Sequence, residues 1–208
     1  MHSLISLFEM LGKGMFMVNF GSLNPFLYFQ KEYLKTVNIP LELYQSTIGR
    51  YFIGYADNLT LGNGTSAWAR LYNPPNSGVL LHVNVWTVTD ISQSPFRAQF
   101  WFNSVPPGQP TVSPLVTPSN TAIQPPPQPK VQIQLASNVK GEPVGGVKAF
   151  VRRGEAGTTV VDTENGKLIF PPNGSFLVFI SIDDPNIAAD GRIAFGWYEE
   201  KIVDKCAL

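Results

Sequence analysis

Residues 78–103, GVLLHVNVWTVTDISQSPFRAQFWFN, contain two strand-length runs in which two sets of side chains alternate. In the first run the aliphatic set Val79, Leu81, Val83 and Val85 alternates with a set that includes His82, Asn84 and Trp86. The second run alternates Phe96, Ala98, Phe100 and Phe102 with Arg97, Gln99, Trp101 and Asn103. Successive side chains of a β-strand point to opposite faces, so this period of two predicts two half-buried strands. Trp86 and Trp101 are then expected on the outer faces, where they would contact something beyond the fold.

From residue 49 onward the pattern predicts short strands separated by tight turns. Asn63-Gly64, Asn165-Gly166 and Asn173-Gly174 supply residues that tolerate positive φ. About ten such strands are typical of a sandwich or jelly roll. The predicted strands are Arg50 to Tyr55, Ala67 to Tyr72, Gly78 to Val88, Pro95 to Asn103, Lys130 to Leu135, Val147 to Arg152, Thr158 to Val161, Lys167 to Phe170, Ser175 to Ile182 and Arg192 to Glu199. We therefore predict an all-β protein whose residues 45–208 form a single jelly-roll-like β-sandwich.

The segment 106–130 contains nine of the 18 prolines of the chain. Proline lacks the amide donor that a central strand needs, so we expect an extended surface connection here. A Greek-key sandwich requires such a long crossing between its sheets.

Residues 1–44 differ in character from the rest and are predicted to form an N-terminal arm. Apolar residues at three- and four-residue steps predict a short helix: Leu4, Leu7, Phe8, Leu11 and Met15. Two interpretations stay open, a helix packed on its own domain or an arm whose apolar side docks on a neighbouring subunit. The segment that contains Phe26, Leu27, Tyr28 and Phe29 is too apolar for a free tail, and we expect something to cover it. The candidate interface residues are Leu4, Leu7, Phe8, Leu11, Met15, Phe26, Tyr28, Phe29, Trp86 and Trp101.

The charge content argues against nucleic acid as a partner and in favour of self-association. Lys plus Arg is 15, Asp plus Glu is 15, and charged residues make up 14% of the chain, against about 25% in an average soluble protein. Binding a phosphate backbone requires a basic stripe, and the longest basic cluster is Arg152-Arg153. A net charge of zero gives little repulsion between copies.

No apolar run reaches the ~18 to 20 residues of a membrane span, and we predict none. The N-terminus lacks a basic region, and Glu9 and Lys13 interrupt its apolar stretch, so we expect no signal peptide. Cys206 is the only cysteine, which excludes an intrachain disulfide and leaves a tail residue or an intermolecular bond.

The sequence offers little for catalysis or metal binding. Its only histidines are His2 and His82, and it has neither a Gly-x-Ser-x-Gly motif nor spaced zinc ligands. Asp183, Asp184, Asn186 and Asp190 share one loop that could hold calcium, but their order is more typical of a turn. We therefore predict no catalytic residue, no metal and no cofactor.

Several runs resemble one small bacterial family. They are Ala67-Trp-Ala-Arg-Leu-Tyr-Asn-Pro-Pro-Asn-Ser-Gly-Val79, Val83-Asn-Val-Trp-Thr-Val-Thr89, Ser94-Pro-Phe-Arg-Ala-Gln99, Gly145-Gly-Val-Lys-Ala-Phe-Val-Arg-Arg153 and Phe170-Pro-Pro-Asn-Gly-Ser-Phe176. Over roughly residues 40 to 200 the chain resembles domain of unknown function 6143, a family found mainly in spore-forming Firmicutes. The resemblance implies a compact β domain, in organisms that coat their spores with self-assembling β-sandwich proteins and filaments. It transfers no active site.

Together these features favour a non-enzymatic structural subunit that forms a homopolymer, such as a fibre, appendage or coat, at a spore or cell surface. The apolar arm, the zero net charge and the tryptophans predicted on the outer faces all favour assembly by docking of the arm or by addition of a strand. A carbohydrate-binding module that uses Trp86 and Trp101 as stacking platforms is the first alternative. A phage virion or baseplate component is the second, since it would share the fold.

Overall fold

The computed structural model describes residues 38–184 and 186–202, in which one short helix precedes eleven β-strands. The elements are α1 Leu41–Thr47, β1 Tyr51–Gly62, β2 Ser66–Tyr72, β3 Val79–Asp90, β4 Phe96–Phe102, β5 Thr111–Val112, β6 Val116–Pro118, β7 Gln132–Val139, β8 Val147–Gly154, β9 Thr159–Phe170, β10 Ser175–Ile182 and β11 Ala188–Lys201. Nine of these eleven strands overlap the segments predicted from the sequence, because the predicted segments 158–161 and 167–170 both fall on β9. The predicted N-terminal helix and the aromatic segment after it lie outside the described residues.

The strands form two antiparallel sheets that pack as a sandwich, as the sequence predicts. Sheet A has the order β6-β1-β11-β3-β9, and sheet B has the order β5-β7-β2-β10-β4-β8. Four of the pairs are nested along the chain, since β1 pairs with β11, β2 with β10, β3 with β9 and β4 with β8. Strands at opposite ends of the chain therefore lie side by side.

The inner faces of the two sheets enclose one aromatic-rich core. Its largest fully buried members include Trp86 and Trp197 from sheet A and Phe96, Phe100 and Phe176 from sheet B. The alternation in β4 predicts this burial of Phe96 and Phe100, and both are confirmed. Phe100 stacks on Phe150 with 4.4 Å between ring centroids.

The prediction that Trp86 lies on an outer face is wrong, because a β-bulge at Asn84 interrupts the alternation of β3. On β11, Trp197 pairs with Val83, and the preceding residue, Gly196, pairs with Val85. Asn84 is therefore the extra residue. Side chains before the bulge point inward at odd positions, and those after it point inward at even positions. Val85 and Trp86 thus exchange faces, and Trp86 is 0% exposed.

Of the three predicted Asn-Gly turns, Asn63-Gly64 connects two strands as predicted, whereas Asn165-Gly166 does not. Asn63 and Gly64 both have positive φ, at 51° and 75°, and connect β1 to β2 as predicted. Asn165 and Gly166 also have positive φ, but they lie within β9 rather than between two strands. There, four residues of β9 lie opposite Asn84 alone, so the predicted turn is an irregularity in one long strand.

The proline-rich segment 106–130 crosses from β4 to β7 and contributes two short strands that the sequence does not predict. β5 pairs with β7 and β6 pairs with β1, each at the edge of a sheet. Proline is tolerated at edges because the ladder there needs no second partner. The crossing ends at Glu199, whose carboxyl group accepts hydrogen bonds from the backbone amides of Lys130 and Val131, all at 3.0 Å.

Within residues 38–184 and 186–202, no helix is long and apolar enough to cross a membrane.

Candidate functional site

An apolar groove of about 530 Å³ lies on the outer face of sheet A. Its floor is β11, where the outward side chains are the small residues Ala194 and Gly196. Larger side chains flank this floor on both sides and at the β6 edge: Ile53, Tyr55, Val85, Thr87, Leu115 and Val116. None of the described residues that line the groove is charged. We call the groove residues, together with Val161 of the edge strand β9, the apolar face.

Strand register explains why a groove forms here. Gly196 pairs with Ile53 on one side and Val85 on the other, and in the next row Ala194 pairs with Tyr55 and Thr87. A small residue between larger ones in two successive rows leaves a channel along β11, since alternate residues share a face. Ile53, Tyr55 and Val161 are 44%, 38% and 59% exposed, so the described part of the chain leaves this face uncovered.

The hydroxyl of Tyr51 lies close to Gly196, one of the two small residues in the floor of the groove. A Cβ at position 196 would be 2.6 Å from the Tyr51 hydroxyl oxygen and 2.7 Å from Val85 Cγ1, so a larger residue there would force these side chains to shift. The bulge residue Asn84 holds Tyr51 by donating a 2.9 Å hydrogen bond from Nδ2 to its hydroxyl. Burial raises the pKa of Tyr51, although the bond from Asn84 acts in the opposite direction. Tyr51 is therefore a neutral phenol at physiological pH.

Helix α1 adds further exposed apolar side chains beside the same strands. It contacts β1 and β11, and it buries the polar Gln45 while Leu41, Leu43 and Tyr44 are exposed. Burial of Tyr198, a residue of β11, is the main cause of its raised pKa, and the carboxylates of Glu200 and of Glu42 in α1 raise it further. A helix normally buries its apolar side. This one presents it to solvent.

Trp101 lies on the outer face of sheet B, as the alternation predicts, but its ring is only partly accessible. It packs against a second apolar cluster that comprises Trp68, Ala136, Val139, Leu177 and Phe179. Lys148 Nζ lies 4.7 Å from the ring centroid, and the indole nitrogen donates to Gln99 Oε1 at 3.2 Å. The segment after β4 covers Trp68, which donates from Nε1 to the Pro107 carbonyl at 2.7 Å. The chain's own residues thus cover much of this face.

His82 is engaged in structural contacts rather than aimed at an open site. It is 6% exposed and stacks on Tyr198 with 4.5 Å between centroids. Its ring nitrogens lie 3.2 Å from the Gly166 carbonyl oxygen and 3.0 Å from Glu200 Oε2. Because both nitrogens have partners, neither is available to a substrate in this arrangement.

The acidic loop after β10 forms a turn. Asp184 Oδ1 accepts hydrogen bonds from the Asn186 backbone amide at 2.9 Å and from its side-chain amide at 3.3 Å. In the part of the chain that the structure describes, no group of three or more His, Cys, Asp or Glu side chains is placed to hold a metal ion.

The sequence-predicted interface residues fall into three groups. Trp86 is in the core, Trp101 lies on sheet B, and the eight residues of the arm lie outside the described residues. The groove itself was not predicted. Its signal in the sequence is the pattern Ile193-Ala-Phe-Gly-Trp197, in which small residues alternate with large ones. Ile53 and Tyr55, which flank these small residues, are two positions apart in β1 and therefore lie on the same face of the sheet.

The chain belongs to a family of unknown function, DUF6143, whose sequence model matches residues 26–205. The match confirms the resemblance seen in the sequence and begins at Phe26. No curated protein and no solved structure shows significant similarity to the chain.

Proposed function

We propose that this protein is a non-enzymatic structural subunit that assembles with copies of itself, and that the apolar face is the surface through which copies meet. The observation that carries the proposal is the uncharged groove flanked by exposed aliphatic and aromatic side chains. A contiguous exposed apolar surface on a soluble domain is typical of an interaction site. The exposed leucines of α1 extend it beside β1 and β11.

The composition supports copies of the same chain as partners. With 15 basic and 15 acidic residues the chain has no net charge, so copies do not repel one another. A polymer also requires no catalytic or cofactor chemistry. A fibre, appendage or coat is the class of assembly we propose, and the spore surface is the location that the family resemblance suggests.

The sheet edges support docking on a face over addition of a strand. The open edge strands β8 and β9 carry charged side chains, including Arg152 and Asp162, whose Nη2 and Oδ2 atoms lie 3.4 Å apart. Charged side chains and irregular pairing are the devices by which natural sheets avoid edge-to-edge association. The described residues of the apolar face, in contrast, carry no charge.

The nested order of strand pairs supports a jelly-roll assignment, which we infer for this sandwich. Jelly rolls occur in capsid proteins and in lectins, so the architecture suits both assembly and sugar binding. The burial of Trp86 removes one of the two stacking platforms on which the carbohydrate alternative depends. Trp101, with Lys148 over its ring, is the remaining one.

Sedimentation velocity of the full chain over a range of concentrations tests the proposal. We expect oligomers that grow with concentration, and we expect Ile53→Glu to shift them to monomers because it places a charge in the groove wall. Val151→Glu is the matched control, since Val151 is 38% exposed against 44% for Ile53 but lies on sheet B. A monomeric full chain, or equal effects of the two substitutions, would contradict the proposal.

A further inference from the structure

We infer that the occupant of the groove is the segment Phe26-Leu27-Tyr28-Phe29 of a neighbouring copy. This inference rests on the proposed function and names the partner of the same surface. It joins three observations: the chemistry of the groove, the composition of the N-terminal segment and the extent of the family match.

The groove is shaped for aromatic or branched apolar side chains. Ala194 provides a low floor between Tyr55 and Thr87, and the groove volume of about 530 Å³ is several times that of one side chain. Because no charged group lines it among the described residues, a charged segment would lose its hydration there without a partner. The occupant is therefore uncharged and apolar.

The N-terminal part of the chain contains a segment of this chemistry. Between Lys13 and Lys31 no residue is charged, and within that stretch Phe26 to Phe29 is a run of four consecutive large apolar or aromatic residues. Aromatic side chains that fill a desolvated pocket are the residues that dominate binding energy at protein interfaces.

The family match separates this run from the rest of the uncharged stretch. The sequence model of the family begins at residue 26, so Phe26 to Phe29 belong to the sequence that defines the family together with the sandwich, whereas residues 1–25 do not.

The length of the connection permits the contact. Eight residues, 30–37, lie between Phe29 and Asn38, where the described chain begins before α1. Such a segment spans up to roughly 30 Å when extended, at about 3.3 Å per residue. The inference therefore requires the occupied groove to lie within about 30 Å of Asn38 of the copy that donates the segment.

Disulfide trapping in the full chain tests the inference. Cys206→Ser provides a background without cysteine, because Cys206 is the only one. Leu27→Cys in one tagged copy and Ala194→Cys in an untagged copy, mixed under mild oxidation, are expected to give a mixed disulfide dimer. Leu27→Cys with Lys140→Cys is the matched control, since Lys140 is exposed beyond the end of β7 in sheet B. We expect at least about tenfold more dimer from the first pair.

Equal dimer yields from the two pairs would overturn the inference. So would an internal disulfide without dimers when Leu27→Cys and Ala194→Cys are combined in one chain, because the segment would then occupy the groove of its own copy. A chain that does not associate at all defeats the proposed function as well, whereas association without trapping defeats only this inference.

A second measurement does not depend on the cysteines. Phe26→Ala is expected to weaken self-association at least about thirtyfold, the effect of removing an interface hot spot. Phe16→Ala is its control, because Phe16 lies in the same uncharged stretch but before the family match. Equal effects of the two substitutions would contradict the assignment of Phe26 to the groove.

Discussion

The ring of Trp86 in sheet A packs against the ring of Phe100 in sheet B, with 4.3 Å between their centroids. This pair joins the two sheets at the centre of the sandwich, where both side chains are fully buried. Trp86 reaches this position because the bulge at Asn84 reverses the faces of β3. The alternation assigns Trp86 to the surface, but the residue lies at the centre of the core.

Phe100→Ala is expected to lower the free energy of unfolding by about 3 to 5 kcal/mol, the usual cost of emptying a buried aromatic site. Phe100 contacts Trp86, Phe150 and Phe176, so its loss leaves a cavity with few ways to collapse. Urea unfolding of the purified variant measures the change. A loss below roughly 1 kcal/mol would mean that β4 has its faces reversed.

Trp86→Ala is expected to destabilise the fold far more than Trp101→Ala. The first should cost about 3 to 5 kcal/mol because the indole is fully buried, and it also removes the hydrogen bond from Nε1 to Glu164 Oε1 at 3.1 Å. The second should cost about 1 to 2 kcal/mol, since Trp101 is only half-buried. Comparable losses in parallel urea titrations would contradict this assignment of faces.

Deletion of Asn84 is expected to leave a folded protein, although a one-residue deletion in a strand normally moves every later side chain to the other face. Asn84 is the extra residue of the bulge, so its removal restores regular pairing with β11 and keeps Val83 and Trp86 directed inward. Deletion of Thr87 is the matched control, because it would turn Val88 toward solvent. We expect the variant that lacks Asn84 to unfold cooperatively on heating. We expect no cooperative unfolding of the variant that lacks Thr87. The reverse would disprove the bulge.

Gly196→Ala is expected to destabilise the protein by about 1 to 3 kcal/mol through overpacking. The new Cβ would lie 2.6 Å from the Tyr51 hydroxyl and 2.7 Å from Val85 Cγ1. A double-mutant cycle with Val85→Ala should show favourable coupling, because the smaller side chain makes room. Additive effects of the two substitutions on unfolding would mean that Val85 does not border the groove at Gly196.

Glu199→Gln is expected to change how stability depends on pH. Burial is the main cause of the raised pKa of Glu199, and it outweighs the hydrogen bonds from Val131, Lys130 and Trp197. An unfolded glutamate ionises near pH 4.3. As pH rises above this value, the unfolded chain releases a proton that the folded chain still holds, so wild-type stability falls until the pH passes the folded pKa.

The difference in unfolding free energy between wild type and Glu199→Gln should therefore move in favour of the variant as the pH rises above about 4.3. Glu155→Gln, at an exposed loop position between β8 and β9, is the control and should show little such trend. A change in the opposite direction for Glu199→Gln would show that its hydrogen bonds outweigh its burial.

Local signals in the sequence predict the strands and the turns that depend on a few adjacent residues. The alternation in β4 predicts that Phe100 is buried, because a single strand without irregularity preserves its period. Asn63-Gly64 predicts a tight turn, because its positive φ angles are intrinsic to the two residue types. The runs around Trp68 identify the family.

The rest depends on partner strands that lie far away in the chain. The bulge at Asn84 exists because Trp197 and Gly196 of β11 pair with Val83 and Val85, and no pattern within β3 specifies that register. The groove likewise combines small residues of β11 with flanking residues of β1 and β3, which become neighbours only when the two ends of the chain pair. The sequence by itself determined which segments are strands, whereas pairing across more than a hundred residues decided which of their faces meet solvent.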